Sequence, residues 1–326
     1  MEFKDLEVIV LTYNRADYLK IMLESLCNQT ATGFVIKVLN NASTDNTVNV
    51  VNDIIKKYPE RNIILITNEK NLGNPGNFKK SQEIAEDKYK YTAVFHDDDA
   101  IHPEYINTAM QLFYKHPQAV ICSANLEPLC VVSNHNWAPL DKNYHIYSSK
   151  DGIYLHMLVN RPSFASDIYK TDCYKKIKYY PEKYGKLHDI IFMFESNCIG
   201  DMIYIQGNAI RYRIAPTCDS NNFENGPFPQ EVIAVIKRIS ELNQNHKFFG
   251  GYLLNSFAQM LYDWSYLDKY ITYDEFCSRL VKEGVFSKFE HSLYSNKITR
   301  FFFKTCIKFR KKHYRHIIKN KYGKRI

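Results

Sequence analysis

The sequence predicts an α/β fold, a mostly parallel sheet flanked by helices with a C-terminal helical extension. Two observations predict it. Through roughly the first hundred residues, short apolar runs alternate with stretches whose apolar residues recur every three to four positions, the pattern of strand, helix, strand. Each apolar run also ends in a cluster of Asn, Asp, Thr, Ser or Gly, and in open α/β sheets ligands bind at the carboxyl ends of the strands.

Glu7-Val8-Ile9-Val10-Leu11 is the first strand, ending at Thr12-Tyr13-Asn14-Arg15, and the helix after it carries Tyr18, Leu19, Met22, Leu23 and Leu26 on one face. A second strand, Phe34 to Leu39, ends at Asn40-Asn41-Ala42-Ser43-Thr44-Asp45. Ser43 or Thr44 then supplies the N-cap of a helix carrying Val48, Val51, Ile54 and Ile55. The third strand, Asn62 to Thr67, runs into Asn71-Leu72-Gly73-Asn74-Pro75-Gly76-Asn77, which reads as a loop because Gly, Asn and Pro dominate turns. A helix from Phe78 to Glu86 leads to the fourth strand, Tyr91 to Phe95, and another helix starts near Pro103. Far downstream, Val232, Val235, Ile236, Ile239 and Leu242 recur at helical spacing in the segment from Pro229 to Cys277. The chain thus divides into a sheet unit over residues 1–225, a helical extension over 226–290 and a basic tail over 291–326.

The fourth strand ends in Asp97-Asp98-Asp99. Like charges packed so closely repel, and a cation that neutralises them explains the run; hard carboxylate oxygens favour Mg²⁺ or Mn²⁺, ions that also hold substrate phosphates. The alternative is a solvated loop whose aspartates cap the helix near Pro103.

Val10-Leu11-Thr12-Tyr13-Asn14-Arg15, Asn41-Ala42-Ser43-Thr44-Asp45-Asn46-Thr47, Asn71-Leu72-Gly73 and Asp97-Asp98-Asp99 with Pro103 beyond, in that order, resemble the family 2 glycosyltransferases of the GT-A fold. The resemblance covers roughly residues 6–220. It implies a nucleotide-sugar site, a divalent metal (Mn²⁺ or Mg²⁺) and inversion at the anomeric carbon. By the same resemblance, residues 1–225 are the nucleotide-sugar-binding and catalytic domain. Asp97 and Asp99 would hold the metal, with Asp98 near the donor ribose. Many relatives carry aspartate where this chain has His96, which leaves Asp98 open as a metal ligand too. Thr12, Tyr13 and Asn41 correspond to uridine and ribose contacts, and Asn14, Arg15, Asp45, Asn71, Gly73 and Asn77 to the rest of the donor loops. Turn chemistry is the other reading of these Asn and Thr residues. A common variant has aspartate at position 41; asparagine still offers its amide oxygen to a base.

An inverting transfer needs a general base for the acceptor hydroxyl. The resemblance places it at the aspartate of a Glu-Asp pair at a helix start, and Lys186-Leu187-His188-Asp189 lies there, roughly ninety residues after the acidic run. Asp189 is the candidate base, with histidine at 188 in place of glutamate; an N-cap is its alternative role. Some relatives follow the next strand with a histidine that helps hold metal or phosphate. Here Ala215 stands there, and the role is open to Arg211, Arg213 or the loop Thr217 to Asn222.

Leu126 to Ser166 contain Trp137, Asn143-Tyr144-His145-Ile146-Tyr147 and Asn160-Arg161-Pro162-Ser163 without regular period. Aromatic faces with polar tips suit sugar rings, so this segment and Phe164 are candidate acceptor walls, with ordinary packing as the competing account.

Composition fits a catalytic domain plus extension: 326 residues with 45% hydrophobic content can bury a full core. Eight cysteines lie without C-x-x-C spacing, which suggests neither a metal cluster nor a disulfide framework and fits a reducing cytoplasm. Met1-Glu2-Phe3-Lys4-Asp5 lacks the features of a secretory signal, and no stretch reaches the roughly eighteen apolar residues of a membrane span. From His291 to Ile326 there are twelve Lys/Arg and no Asp/Glu, which leaves 31 basic against 35 acidic residues elsewhere; the tail carries more than the whole net charge of +8. Its Phe301, Phe302, Phe303, Ile307 and Phe309 interleave with Arg300, Lys304, Lys308 and Arg310, which suits an amphipathic helix on an anionic membrane. A solvated helix, a disordered end and a nucleic-acid patch compete, and no nucleic-acid motif accompanies the charge.

The sequence thus reads as a metal-dependent transferase moving a sugar, UDP-linked in the first instance, onto a glycan or lipid-linked glycan, in bacterial surface-polysaccharide or lipooligosaccharide synthesis at the cytoplasmic membrane face. The alternatives are a nucleotidyltransferase, which usually has a glycine-rich N-terminal loop absent from Leu11-Thr12-Tyr13-Asn14-Arg15, and a non-catalytic scaffold of the same fold.

Overall fold

The computed structural model describes residues 1–129, 136–149, 163–213, 227–242, 247–296 and 323–324. Strand and helix alternate at first as the sequence predicts: β1 (Leu6–Thr12), α1 (Ala16–Cys27), β2 (Val35–Asn40), α2 (Thr47–Lys57), β3 (Asn62–Thr67), α3 (Gly73–Ile84) and β4 (Tyr91–His96). β1 and β2 are buried at every position, which explains their unbroken apolar runs, whereas β3, at the sheet edge, is only partly covered. These strands are parallel in the order β3-β2-β1-β4. Thr12 pairs with Asn40 and Asn40 with Thr67, so the polar motifs that follow all emerge at one end of the sheet.

Beyond β4 the ten-stranded sheet becomes mixed. β8 (Ile168–Lys170) runs antiparallel between β4 and β6 (Ala119–Leu129). β9 (Asp201–Arg213) is parallel to β6, and β7 (Tyr144–Tyr147) and the terminal β10 (Gly323–Lys324) complete the far edge antiparallel. The two-residue β5 (Ala100–Ile101) pairs with Arg211 and Ile210 of β9. Because β8 is antiparallel to both β4 and β6, strands β1 to β4, β6 and β9 all run in one direction, and the expected mostly parallel sheet holds with antiparallel strands added.

Three helix starts differ from expectation. α2 begins at Thr47, and neither Ser43 nor Thr44 caps it, because both are spent on the neighbouring loop: Asn14 N donates to Ser43 Oγ, and Thr44 N donates to Asn14 Oδ1. α3 begins at Gly73 rather than Phe78. Pro75 stands in its first turn, where a missing N–H costs nothing, and Asn71 Oδ1 accepts from Gly73 N at 2.8 Å. α4 (Tyr105–Lys115) is preceded by Glu104, whose N donates to His102 Nδ1 at 3.1 Å; the aspartates do not cap it, and their capping role falls away.

α5 (Thr171–Lys176), α6 (Pro181–Tyr184) and α7 (His188–Ile199) lead to a second core. α7 is a shared wall: Phe192 and Met193 pack into the sheet's core, while Ile191 and Phe194 pack with α8 (Pro229–Leu242), α9 (Lys247–Trp264) and α10 (Tyr273–Lys282). α11 (Lys288–Ser295), capped by a Ser287/Glu290 capping box, closes the extension. The amphipathic helix expected in the basic tail falls on 297–322, outside the described residues. Among the described residues no helix is long and apolar enough to cross a membrane.

Candidate active site

Asp97, Asp98 and Asp99 form the turn between β4 and β5. The pairing of β5 with β9 carries Arg213 to this turn, where its N donates to Asp99 Oδ1 at 3.0 Å and its Nε to the Asp98 carbonyl at 2.9 Å. The Arg213 guanidinium also stacks on Tyr18 at 4.1 Å. Asp97 is 3% exposed and Asp99 1%, so both carboxylates leave water. Burial, with Asp98 beside it, pushes Asp97 up to about 6, and the same two causes push Asp99 well above the usual carboxylate range. From the other side Tyr13 N donates to Asp97 Oδ2 at 3.3 Å, and Arg15 Nη1 lies 3.4 Å from Asp97 and 2.9 Å from Asp98.

This donor set fits a divalent cation. Two buried carboxylates at one turn resist ionisation, their oxygens are hard, and a bound Mg²⁺ or Mn²⁺ would hold both ionised. Among the described residues no group of three His, Cys, Asp or Glu is arranged to hold a metal, so further coordination would fall to water and substrate phosphate.

The loops after β1 and β2 interlock. Asn14 (φ 51°) and Ala42 (φ 60°) both adopt the left-handed conformation, which Asn tolerates and Ala resists. Asp45 reaches across to accept from Ala16 N at 3.0 Å, capping α1 from outside while its other oxygen takes Thr47 N and the Thr47 hydroxyl. Thr12 is buried and the Tyr13 ring is exposed at the strand end.

Asn41 is engaged on every side. Its Oδ1 accepts from Leu72 N at 2.9 Å and Asn68 Nδ2 at 3.0 Å, and its Nδ2 donates to Asn71 Oδ1 at 2.8 Å and to the Gly73 carbonyl at 3.3 Å. Asn68 also donates to Asn77 Oδ1 at 2.9 Å. An amide so saturated builds the head of α3 rather than waiting for a base. Gly73 (φ 70°) supplies the left-handed turn that starts this helix. Asn68, which sequence reasoning passed over, opens the polar run Asn68-Glu69-Lys70-Asn71 just past β3, where nothing sets it apart from its neighbours.

Asp189 is the second residue of α7, half-buried, its Oδ1 accepting from Ile190 N at 2.7 Å. Burial pushes its carboxyl up, opposed by the adjacent His188 and by His96 at the end of β4, so candidate base and acidic turn share one end of the sheet. Asp167 interacts with it from behind: this fully buried carboxyl, held by the Tyr169 hydroxyl at 2.6 Å and pushed well up by burial, also went unnoticed in the sequence. Of the expected acceptor wall, among the described residues, Phe164 stands here, 6.5 Å from the His96 ring. Tyr144 and Tyr147 are core residues at 0% and 1% exposure, a correction caused by β7 joining the sheet, and Trp137 is covered by Arg211 at 3.9 Å. Arg211 is bound to Glu127 at 2.7 Å; Asn160 to Pro162, Ala215 and the loop Thr217 to Asn222 lie outside the described residues.

Residues 7–162 match the family model described as glycosyl transferase family 2. A 107-residue segment is 31% identical to the uncharacterized glycosyltransferase YibD of Escherichia coli strain K12, over 33% of this chain and 30% of that one. A 101-residue segment is 38% identical to the uncharacterized glycosyltransferase MJ1057 of Methanocaldococcus jannaschii, over 30% of this chain and 33% of that one. The chain thus matches about a third of the length of each of these relatives. The fold is similar to that of S. aureus TarS 1–349 in complex with UDP-GlcNAc, with a TM-score of 0.63 at 16% identity over 95% of this chain and 91% of that one. It is similar too to the mannosyltransferase PcManGT from Pyrobaculum calidifontis in complex with GDP-Man and Mn²⁺, at TM-score 0.52 and 12% identity over 95% and 84%. The architecture is the GT-A fold.

Proposed function

We propose that this chain is an inverting, metal-dependent glycosyltransferase that moves a sugar from a nucleoside diphosphate, a UDP-sugar in the first instance, to a hydroxyl of a glycan acceptor. One observation carries this reading: two buried aspartates and a separately held third carboxylate, Asp189, share the carboxyl end of the sheet. The family match over residues 7–162 and the sugar-nucleotide complexes of the similar folds support it.

In this reading Asp97 and Asp99 hold the metal, and Asp98 lies by the donor ribose. When bound, the ion supplies positive charge to the leaving diphosphate. Thr12 and Tyr13 flank the nucleoside, and the Asn41-Asn68-Asn71-Asn77 network fixes the head of α3 beside it. Asp189 takes the acceptor proton as the hydroxyl oxygen attacks the anomeric carbon. The new C–O bond forms on the face opposite the breaking bond, whose electron pair leaves with the diphosphate. Burial raises the proton affinity of Asp189 and makes it a better base than an exposed carboxylate. We extend the proposal to a surface-polysaccharide or lipid-linked acceptor met at an anionic membrane, on the strength of the twelve basic residues after position 290.

Calorimetry against UDP-, GDP-, CMP- and dTDP-sugars, with Mn²⁺ and then with EDTA, tests the reading. Metal-dependent binding of one nucleotide class is expected, lost in Asp97→Asn and retained in Asp189→Asn. A folded protein that binds none of them overturns it.

A further inference from the structure

We propose that His188 and Tyr179 are positioning residues that hold Asp189 at the head of α7 in the orientation needed to accept a proton. The inference rests on Asp189 being the base.

The head of α7 lacks an ordinary cap: Leu187, at the N-cap position, makes no side-chain capping bond. The His188 ring anchors it instead. Its Nδ1 lies 2.7 Å from the Gly185 carbonyl and its Nε2 lies 2.5 Å from the Tyr179 hydroxyl. A carbonyl only accepts, so Nδ1 carries the hydrogen, and in the neutral ring Nε2 then accepts from Tyr179. Both ring nitrogens are thereby engaged, which makes this imidazole a strut.

Each end of the strut is fixed. Tyr179 stacks on Phe78 of α3 with ring centroids 4.2 Å apart and planes at 24°, and its hydroxyl, raised by burial, keeps its proton. Gly185 is left-handed (φ 51°), and the Glu231 carboxylate of α8 fills the space a β-carbon would take. Phe228 N donates to the same carboxylate at 2.8 Å. The strut therefore ties Asp189 to α3 on one side and to the helical extension on the other. Catalytic geometry tolerates little drift, and a displacement of about 1 Å costs on the order of 100-fold in rate.

Tyr179→Phe removes one hydroxyl from a packed ring, and His188→Asn keeps a donor for Gly185 while losing Tyr179. Both variants, with Asp189→Asn and the double variant Tyr179→Phe/Asp189→Asn, are assayed for Mn²⁺-dependent release of nucleoside diphosphate from the bound sugar nucleotide with water as acceptor. Tyr179→Phe and His188→Asn should lower kcat by about tenfold or more at unchanged donor KM and unchanged melting temperature. Tyr179→Phe should cost nothing further in the Asp189→Asn background. ¹⁵N NMR should show one Nδ1–H histidine tautomer whose Nε2 resonance moves in Tyr179→Phe. A Tyr179→Phe enzyme of full kcat beside an inactive Asp189→Asn enzyme overturns the strut alone. Equal losses from Tyr179→Phe in both backgrounds do the same. A fully active Asp189→Asn enzyme overturns the base reading and the strut with it.

Discussion

The Arg15 guanidinium lies 2.9 Å from the Asp98 carboxylate, joining the loop after β1 to the turn after β4. The same nitrogen is 3.4 Å from Asp97, where its charge favours the ionised carboxylate and opposes burial. Arg15→Ala should therefore move the midpoint of Asp97 upward from about 6, read by ¹³C NMR titration of the aspartate carboxyls. Arg15 is itself 31% exposed, so the stability lost should stay within about 1 kcal/mol.

Folded Asp97 keeps its proton to about pH 6, while an unfolded aspartate releases it near 3.8. Between those values the folded state binds more protons, so this residue's contribution is complete below the lower value and is lost as pH rises through the upper one. The interval between the two midpoints is worth about 3 kcal/mol, and Asp99 acts in the same direction. Metal-free Asp97→Asn should thus be more stable than the parent at pH 7.5 by up to about 3 kcal/mol, with the gap closing at pH 4 in urea titrations. Mn²⁺ should raise the parent's melting temperature at pH 7.5, EDTA should reverse it, and neither should act at pH 4.

Lys37, 4% exposed, sits 2.6 Å from both Glu7, which is fully buried, and Glu86. Glu7 in turn accepts from Glu86 N at 3.0 Å and from the Thr92 hydroxyl at 2.9 Å, so a cluster centred on the buried Glu7 and Lys37 ties β1, β2, β4 and the segment after α3 together. Lys37→Met leaves the Glu7 charge buried without its cation and should cost about 3–5 kcal/mol in urea unfolding. Adding Glu7→Gln should recover much of that loss. A loss below about 1 kcal/mol for Lys37→Met would mean that water reaches Glu7.

The parallel strands could be read from the sequence because burial on both faces demands unbroken apolar runs, and β1, β2 and β4 have them. The start of α3 could not, since Gly73 to Asn77 has the composition of a turn, and it is helical because Pro75 is harmless in a first turn and the Asn41 and Asn71 side chains hold its head. β5 and β8 are two and three residues long, and Ala100 pairs with Arg211, so no local period announces them. In the candidate site, three adjacent aspartates stand out through their own repulsion. Asn68, Asp167 and Tyr179 do not: their roles rest on side-chain bonds to Asn41, Tyr169 and His188 that no residue pattern announces, and Tyr179 is one of 25 tyrosines.

If Asp189 is the base, the rate should carry its titration. The groups around it are His188 and His96, which favour its ionised form when they are protonated, and the buried Asp167 and Tyr179, which also interact with it. Burial is the largest influence and raises its pKa. A base must be unprotonated to work, so kcat/KM should climb with pH through a midpoint above the usual carboxylate range and then level off. Asp189→Asn should lower the plateau by about 100-fold or more and abolish that rise while donor binding stays intact. A variant that keeps the same rise would assign the limb to another group, with the acidic turn the first place to look.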